Sequence, residues 1–359
     1  MKTTISICLL LCLATMGCNR GPQLTPAQEL RVALKKKDPA AVQAALAKKP
    51  ALNEADTTEE PPLTTAVKTG DVELVQLLID QGADANHPGV NYAGGSPGKQ
   101  DIPLMVAARQ LDVEMVRLLL ANGANADVRT MTSSGVSSPL KEALKMSSDA
   151  TVPEATVKII RLLVEHGAKP MEHPQDDAFQ PAVHWAAARG ELELLKWLST
   201  QGFDVRLPRI NRNTTLHDAA FGGSDEAVRW LLTQMVEVDA RNELENWTPL
   251  HLAALGGHAS TVKILLEEAG CNVNGGESSP AIRGGTPLHV AVHKNHLEVA
   301  KILIDAGADL SLRDERKLTP LGFALGIVQN PQAFGAGPGA PPPDLNAMLK
   351  LLRAHNAPE

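Results

Sequence analysis

Aromatic residues are scarce in this chain of 359 residues. Phe, Trp and Tyr together supply 3% of the sequence, although 43% of it is hydrophobic. Compact enzymes of this size usually bury more rings, so this composition favours helices that pack through small side chains. An excess of basic residues is also missing, because the formal net charge is −7 and no basic run is interleaved with aromatics. Nucleic acid is therefore not an expected partner.

Cysteine is rare as well, and three of the four cysteines lie within the first 18 residues, MKTTISICLLLCLATMGC. After Lys2 this segment has an apolar run over residues 5–14. The run is too short to cross a bilayer, which needs about 20 helical residues, so it predicts a signal peptide over residues 1–17. Its Gly-Cys end resembles the lipobox of bacterial lipoproteins, which implies cleavage before Cys18 and lipidation of the Cys18 thiol. A plain signal peptide with an incidental cysteine is the alternative.

These features predict an exported protein. We expect a lipoprotein of the cell membrane or outer membrane that faces the periplasm, with a short tether over residues 18–25. A soluble secreted or periplasmic protein is the alternative. If Cys18 carries the lipid, Cys271 is the one thiol left in the mature chain, so stability must come from packing and not from an intrachain disulfide.

One short sequence motif, which we call the repeated word, recurs along the rest of the chain. TPLHLAALGGHASTVKILLEEAGCNVN begins at Thr248, and TPLHVAVHKNHLEVAKILIDAGADL begins at Thr286. Copies of varying strength begin at residues 61, 102, 138, 181, 214, 248, 286 and 319, with shortest spacings of 33 and 34 residues. This pattern resembles the ankyrin repeat, which has a period of about 33 residues and the signature T-P-L-H-x-A.

The resemblance implies an all-α, ankyrin-repeat solenoid of stacked helix–turn–helix units with extended finger turns. The expected organisation is a capping repeat over residues 26–56 and an array of about eight repeats over residues 57–357. Inserts rich in glycine, proline or serine are expected at 87–101, 147–153 and 330–344. The composition of the last insert predicts a mobile loop without a packed element.

Physical roles can be assigned to the places of the repeated word. Thr248 can cap a helix N-terminus, and Pro249 suits the first helical position because no backbone N–H is needed there. The resemblance implies that the histidine in the fourth place, which is His184 in the copy PAVH, hydrogen-bonds the threonine hydroxyl and adjacent backbone. The structural positions expected on this basis are Thr214, His217, Thr248, Pro249, His251, Thr286, Pro287, His289, Thr319 and Pro320.

The three histidines of TPLHVAVHKNH raise the question of a metal site. His289 and His293 are four residues apart, so they would share one face of a helix, as some zinc ligands do. Because His289 occupies the repeated structural place, zinc binding would require it to abandon its hydrogen bonds. We therefore expect no metal and no cofactor. The mature chain also lacks G-x-S-x-G, H-E-x-x-H and C-x-x-C, and no enzymatic activity is expected.

Positions that the repeat pattern leaves unassigned predict the binding surface. In ankyrin repeats the groove is lined by the finger turns and by the two places after the alanine pair. The predicted groove residues are Lys68, Arg109, Lys145, Arg189, Phe221, Trp247, Leu255 and His293. We expect an acidic stretch of the partner against the cationic residues and an apolar anchor near Phe221 and Leu255.

The expected function is non-enzymatic recognition of a protein or peptide. A small-molecule substrate is not expected, because repeat arrays expose long surfaces and few deep pockets. One alternative is an inhibitor or immunity protein that acts on a secreted or periplasmic enzyme. The other is a metal-dependent or envelope-polymer-binding protein that uses the inserts at 87–101 and 330–344.

Overall fold

The structure is a computed structural model that describes ten stretches of the chain. They are residues 24–53, 60–87, 101–132, 135–145, 154–169, 181–209, 211–243, 245–275, 285–334 and 344–358. The predicted signal peptide, Cys18 and the insert at 147–153 lie outside the described residues, as do the centres of the other two inserts. None of the described helices has both the length and the apolar character that a membrane crossing requires.

Helices make up almost all of the regular structure in the described residues, which confirms the predicted all-α fold. They occur in pairs, with the first helix of a pair at the repeated word and the second helix after a short turn. In chain order they are α1 (Pro26–Lys36), α2 (Pro39–Leu46), α3 (Pro62–Thr69), α4 (Val72–Asp80), α5 (Pro103–Arg109), α6 (Val113–Ala121), α7 (Pro139–Lys145), α8 (Glu154–Glu165), α9 (Pro181–Arg189), α10 (Leu192–Thr200), α11 (Thr215–Gly222), α12 (Asp225–Leu232), α13 (Pro249–Gly256), α14 (Ala259–Glu267), α15 (Pro287–His293), α16 (Leu297–Asp305), α17 (Pro320–Gln329) and α18 (Asn346–Ala354).

The described residues divide into two compact units, one within 1–107 and 117–124 and the other within 108–116 and 125–359. In the first unit, α1 packs against α2 and α3, and α3 packs against α4. A capping box starts α1, because the Gln28 N–H donates to Thr25 Oγ1 and the Thr25 N–H donates to Gln28 Oε1. This reciprocal pair satisfies two backbone donors that a helix N-terminus otherwise leaves open.

In the second unit, the first helices α9, α11, α13, α15 and α17 pack side by side, and the second helices α10, α12, α14, α16 and α18 form another row. Small residues allow the first helices to approach closely. A Cβ atom added at Gly222 would lie 1.9 Å from the carbonyl oxygen of Ala188, and the pair Ala253 and Ala254 is fully buried. The apolar surface of each helix pair is thus buried by its neighbours, as repeat proteins require.

The repeat that begins at Thr248 shows how the sequence sets the helix ends. Pro249 is the first residue of α13, and Gly257 ends that helix with a left-handed φ of 75°. Glycine adopts this conformation at little cost because it has no Cβ atom. Val262 and Leu265 then form part of the buried face of α14.

Two features differ from the sequence-based expectation. A short antiparallel hairpin of β1 (Thr130–Thr132) and β2 (Gly135–Ser137) precedes α7. The insert at 330–344 was predicted to contain no packed element. This prediction was wrong for the first residues of the insert, where a 3₁₀ turn, Pro331–Phe334, follows α17. The ring centroids of Phe334 and Phe323 lie 5.0 Å apart. One aromatic side chain therefore supplies packing that the Gly- and Pro-rich composition did not indicate.

Candidate protein-binding site

The histidines of the repeated word connect neighbouring repeats. In three repeats, Nδ1 of the histidine accepts the backbone N–H of the threonine three residues earlier, at 3.1 Å. Since Nδ1 accepts, the proton is on Nε2, which donates to the carbonyl oxygen just before the next word at 3.0 to 3.2 Å. The histidine and carbonyl pairs are His217 with Trp247, His251 with Gly285, and His289 with Leu318.

Burial keeps these three imidazoles neutral. It lowers the pKa of His251 to about 3, and it lowers the pKa values of His217 and His289 below the ordinary value of 6.5. Both ring nitrogens are engaged in hydrogen bonds, so neither is available to a ligand. Within the part of the chain that the structure describes, no group of three or more His, Cys, Asp or Glu side chains is arranged to hold a metal ion.

His258 and His296 connect repeats at a second level, at the start of the second helices. Nε2 of His258 donates to the carbonyl oxygen of Phe221 at 2.8 Å, and Nε2 of His296 donates to that of Leu255 at 3.1 Å. In each case, the glycine after the first helix of the previous repeat leaves room for the imidazole ring. A Cβ atom added at Gly223 would lie 2.3 Å from Nδ1 of His258.

His184 departs from the expected pattern. Its repeat has Pro181 in place of the threonine, so the implied bond to a threonine hydroxyl cannot form. Nδ1 of His184 instead lies 2.7 Å from Oδ2 of Asp218, and Nε2 lies 3.2 Å from the carbonyl oxygen of Leu207. The expected threonine partner was therefore wrong for this repeat, because a carboxylate of the next repeat takes its role.

Two of the predicted cationic groove residues bind a carboxylate of the chain itself. Glu142 has 0% exposure, and it accepts hydrogen bonds from Arg109 Nε and Lys145 Nζ, both at 2.6 Å. The hydroxyl of Ser137 also donates to Glu142. Burial opposes ionisation of this carboxyl, but the hydrogen bonds from Lys145, Ser137 and Arg109 lower its pKa to about 2. We call these four residues the Glu142 cluster.

Lys68 is paired as well, within the first unit. Its ammonium group forms ion pairs with Glu60 and, at 2.8 Å, with Asp101. Burial alone would lower the pKa of Lys68, but the hydrogen bonds to Asp101 and Glu60 raise it above its ordinary value. Arg189 is half-buried at the end of α9. The predicted cationic residues thus offer less uncompensated charge to an acidic partner than the sequence suggested.

The predicted apolar residues lie on successive first helices of the second unit. Phe221, Leu255 and His293 each follow a buried pair of small or branched residues, and we call them the exposed row. Phe221 is 51% exposed, His293 is exposed and Leu255 is half-buried. Adjacent large side chains that stacking leaves in solvent mark a candidate contact surface.

A cleft of about 240 Å³ lies beside the exposed row, and its described lining includes residues of two finger turns. We call it the Trp247 cleft. The buried side chains of Val290 and Phe323 form its inner part. Its lining consists of Glu245, Trp247, Leu255, Val290, His293, Asp314, Glu315, Arg316 and Phe323.

Ring contacts hold the aromatic lining of this cleft in place. Trp247 stacks on His251, with centroids 5.9 Å apart and planes inclined by 5°. His293 meets Phe323 edge to face, with centroids 5.9 Å apart. Partial desolvation of the ring, followed by the charges of Lys294 and Arg316, lowers the pKa of His293. The imidazole is therefore neutral at pH 7.

A sequence profile of the family described as Ankyrin repeats matches the chain in three copies, over residues 30–130, 148–242 and 216–314. Together these matches cover more than half of the chain. The chain belongs to the ankyrin repeat family. Ankyrin repeats imply a protein–protein interaction module, and the family is in general non-enzymatic.

Similar curated proteins are larger and diverse. The chain is 29% identical over 128 residues to the Caenorhabditis elegans protein named Transient receptor potential cation channel subfamily A member 1 homolog, covering 36% of this chain and 11% of that protein. It is 26% identical over 136 residues to the probable E3 ubiquitin-protein ligase XBOS32 of Oryza sativa subsp. japonica, covering 38% and 26%. It is 37% identical over 83 residues to the potassium channel AKT1 of Arabidopsis thaliana, covering 23% and 10%. The chain thus spans between about a tenth and about a quarter of the length of these relatives.

Sequence reasoning missed the residues that follow the fourth place of the word. Glu142 in SPLKEALK, Asp218 in TTLHDAA and Phe323 in TPLGFALG all occupy this place. Glu142 is a buried charge, and Asp218 is the partner of His184. Phe323 forms the inner part of the Trp247 cleft. Neighbouring copies have unrelated residues at this place, and this variation is the signal that could have identified it.

Proposed function

We propose that this ankyrin repeat protein binds a protein or peptide, without catalysis, through the exposed row and the Trp247 cleft. The observation that supports this proposal is that Phe221, Leu255 and His293 present large side chains to solvent at places that stacking does not use. Truncation of an aromatic side chain at the centre of an interface typically costs ~2 kcal/mol or more of binding free energy. The Cys271 thiol is no candidate nucleophile, because burial raises its pKa to about 12.

Crosslinking at defined positions tests this placement. A photoreactive phenylalanine analogue is introduced into the full chain in cells at position 221 or 255, and at the control position of Lys263, which is exposed on α14. We expect one partner to be crosslinked from positions 221 and 255 but not from 263. We also expect the double variant Phe221→Ser/Trp247→Ala to recover less of that partner. Equal crosslinking from position 263, or unchanged recovery, would contradict the proposed surface.

We further propose that the protein is exported and attached to a membrane through a lipid on Cys18. The short apolar leader and its Gly-Cys end support this proposal. Metabolic labelling with an alkyne-bearing fatty acid tests it. The Cys18→Ser variant is expected to lose both the label and its place in the membrane fraction, whereas Cys271→Ser keeps both. A label that survives Cys18→Ser would refute the anchor.

A further inference from the structure

The Trp247 cleft combines aromatic rings with carboxylates. Trp247, His293 and Phe323 contribute rings, and Glu245, Asp314 and Glu315 contribute acidic groups. An aromatic face attracts a cation through its quadrupole, by about 0.5 to 2 kcal/mol depending on solvent exposure. Carboxylates at the edge of such a face add Coulombic attraction of the same sign. Rings and acidic groups in one cleft therefore favour a positively charged occupant.

Two of the three carboxylates are placed to meet a ligand. Asp314 is buried, and its Oδ1 accepts the backbone N–H groups of Arg316 and Leu318, at 2.9 and 2.8 Å. Glu245 accepts one hydrogen bond, from Asn242 Nδ2 at 3.0 Å, through Oε2. Glu315 is exposed and forms no ion pair with any described residue. Asp314 thus shapes the finger turn, while Glu245 and Glu315 can face an occupant.

Arg316 is the one cation among the described residues that line the cleft, and it is engaged elsewhere. Nη1 of Arg316 donates to the carbonyl oxygen of Ala333 at 3.1 Å, and its guanidinium carbon lies 4.6 Å from the ring centroid of Phe334. Neither Ala333 nor Phe334 lines the cleft. His293 is neutral at pH 7 and adds no repulsion. Among the described lining residues, three carboxylates therefore exceed one cation, and that cation is held on the 3₁₀ turn.

We propose that the Trp247 cleft receives one lysine or arginine side chain of the partner. This inference rests on the proposed function and adds the chemistry of one subsite to it. A volume of about 240 Å³ suits one long side chain, whereas pockets for drug-sized ligands are typically about 300 to 1,000 Å³. The methylene groups would contact Leu255 and Val290, while the charged end meets the rings and the carboxylates.

Blocked peptides of sequence Gly-Gly-X-Gly-Gly test the proposal, with X as lysine, arginine, norleucine or glutamate. Binding to the full chain is followed by NMR through the indole N–H of Trp247, which is assigned with the Trp247→Phe variant. We expect the lysine and arginine peptides to bind about fivefold more tightly than the norleucine peptide, and the glutamate peptide to bind least. Equal or tighter binding of norleucine would overturn the cation subsite and leave the proposed function standing as an apolar contact. If no peptide binds but position-specific crosslinking still occurs, the cation subsite is wrong and the proposed function stands.

Variants separate the charge of the cleft from its apolar lining. Glu315→Gln keeps the shape of an exposed side chain and removes one negative charge, so it should weaken lysine binding and leave norleucine binding unchanged. Glu298→Gln makes the same charge change on the exposed side of α16, away from the cleft, and should alter neither. Trp247→Leu removes the indole reporter, so its binding is followed by isothermal titration calorimetry; it should reduce lysine binding more than norleucine binding. If Glu315→Gln affects both peptides equally, or neither, the assignment to a cation is wrong.

Discussion

Two parts of the second unit bury a polar group between repeats, and they do so with opposite chemistry. Near its start, Glu142 is ionised and binds Arg109 and Lys145, whose side chains are 25% and 41% exposed. From Thr214 to Leu318, neutral imidazoles connect the threonine of one repeat to a backbone carbonyl before the next. The first arrangement joins side chains that can turn towards water. The second satisfies backbone groups that cannot move towards water, so its loss leaves these groups buried without a hydrogen bond.

The largest expected effect is the loss of a histidine connection. His251→Leu leaves the Thr248 N–H and hydroxyl and the Gly285 carbonyl without their partner. Each buried polar group without a partner costs about 1 to 3 kcal/mol, so we expect the free energy of unfolding to fall by about 3 kcal/mol or more. Urea unfolding followed by circular dichroism measures the change.

Glu142→Leu is the matched test in the other part. It removes a charge that is fully buried, but Arg109 and Lys145 can turn to solvent, and Ser137 alone stays buried without its partner. We expect a loss of about 2 kcal/mol, which is smaller than the loss for His251→Leu despite the formal charge. If Glu142→Leu is the more damaging substitution, the distinction between movable and fixed partners fails.

The free energy of unfolding of the two parts should also fall over different pH ranges. The pKa of His251 is about 3 in the folded chain, against an ordinary value of 6.5 in the unfolded chain. As the pH falls, the unfolded chain therefore binds a proton at this histidine before the folded chain does. The free energy of unfolding therefore falls as the pH drops below 6.5, by up to about 1.4 kcal/mol per pH unit for each such residue. Glu142, with a folded pKa of about 2 against an ordinary 4.5, stabilises the fold above pH 4.5 and loses this contribution as the pH falls towards 2.

Hydrogen exchange at pH 7 and pH 5, corrected for intrinsic rates, separates these pH ranges. Amides of α13 should lose protection at pH 5, by about 2 kcal/mol in opening free energy, and amides of α15 should lose protection as well. Amides of α7 should keep theirs. A uniform loss across both parts would mean that the histidine-linked repeats do not open independently, and the local comparison would then be lost.

The sequence predicted the repeated elements better than the exceptions to them. Thr248, Pro249 and Gly257 have local roles, in capping, in the first turn and in a left-handed end, so their pattern alone indicates a helix. The Glu142 cluster could not be predicted in the same way, since it depends on side chains 33 residues apart that meet only after stacking. The same applies to the pairing of Lys68 with Asp101. The Phe334 contact with Phe323 lies within one repeat, but it depends on the turn after α17, which the composition did not indicate. Groove positions could be named from the repeat pattern, but the charges that neutralise them come from neighbouring repeats.

The smallest expected effect concerns a strained residue inside the histidine-linked part. The second helices α10 and α14 are followed by Gly202 and Gly270, with φ of 90° and 66°, whereas α12 is followed by Met235 with φ of 56°. Met235 is also 91% exposed, so packing does not compensate for its conformation. A left-handed conformation costs a residue with a Cβ atom roughly 1 to 2 kcal/mol, and part of the gain from glycine is offset by the greater entropy of the unfolded chain.

We therefore expect Met235→Gly to raise the free energy of unfolding by about 0.5 to 1 kcal/mol. Thr233→Gly is the control, because Thr233 has a right-handed φ of −73° and glycine there relieves no strain. It adds the entropic cost of glycine and removes the hydroxyl's hydrogen bonds with the Trp230 carbonyl and Gln234. The control should lower stability while Met235→Gly raises it, both measured by urea unfolding. A loss in both variants would mean that the Met235 side chain contributes more in the folded state than its exposure suggests. The strain at this turn would then be offset by a contact of the Met235 side chain.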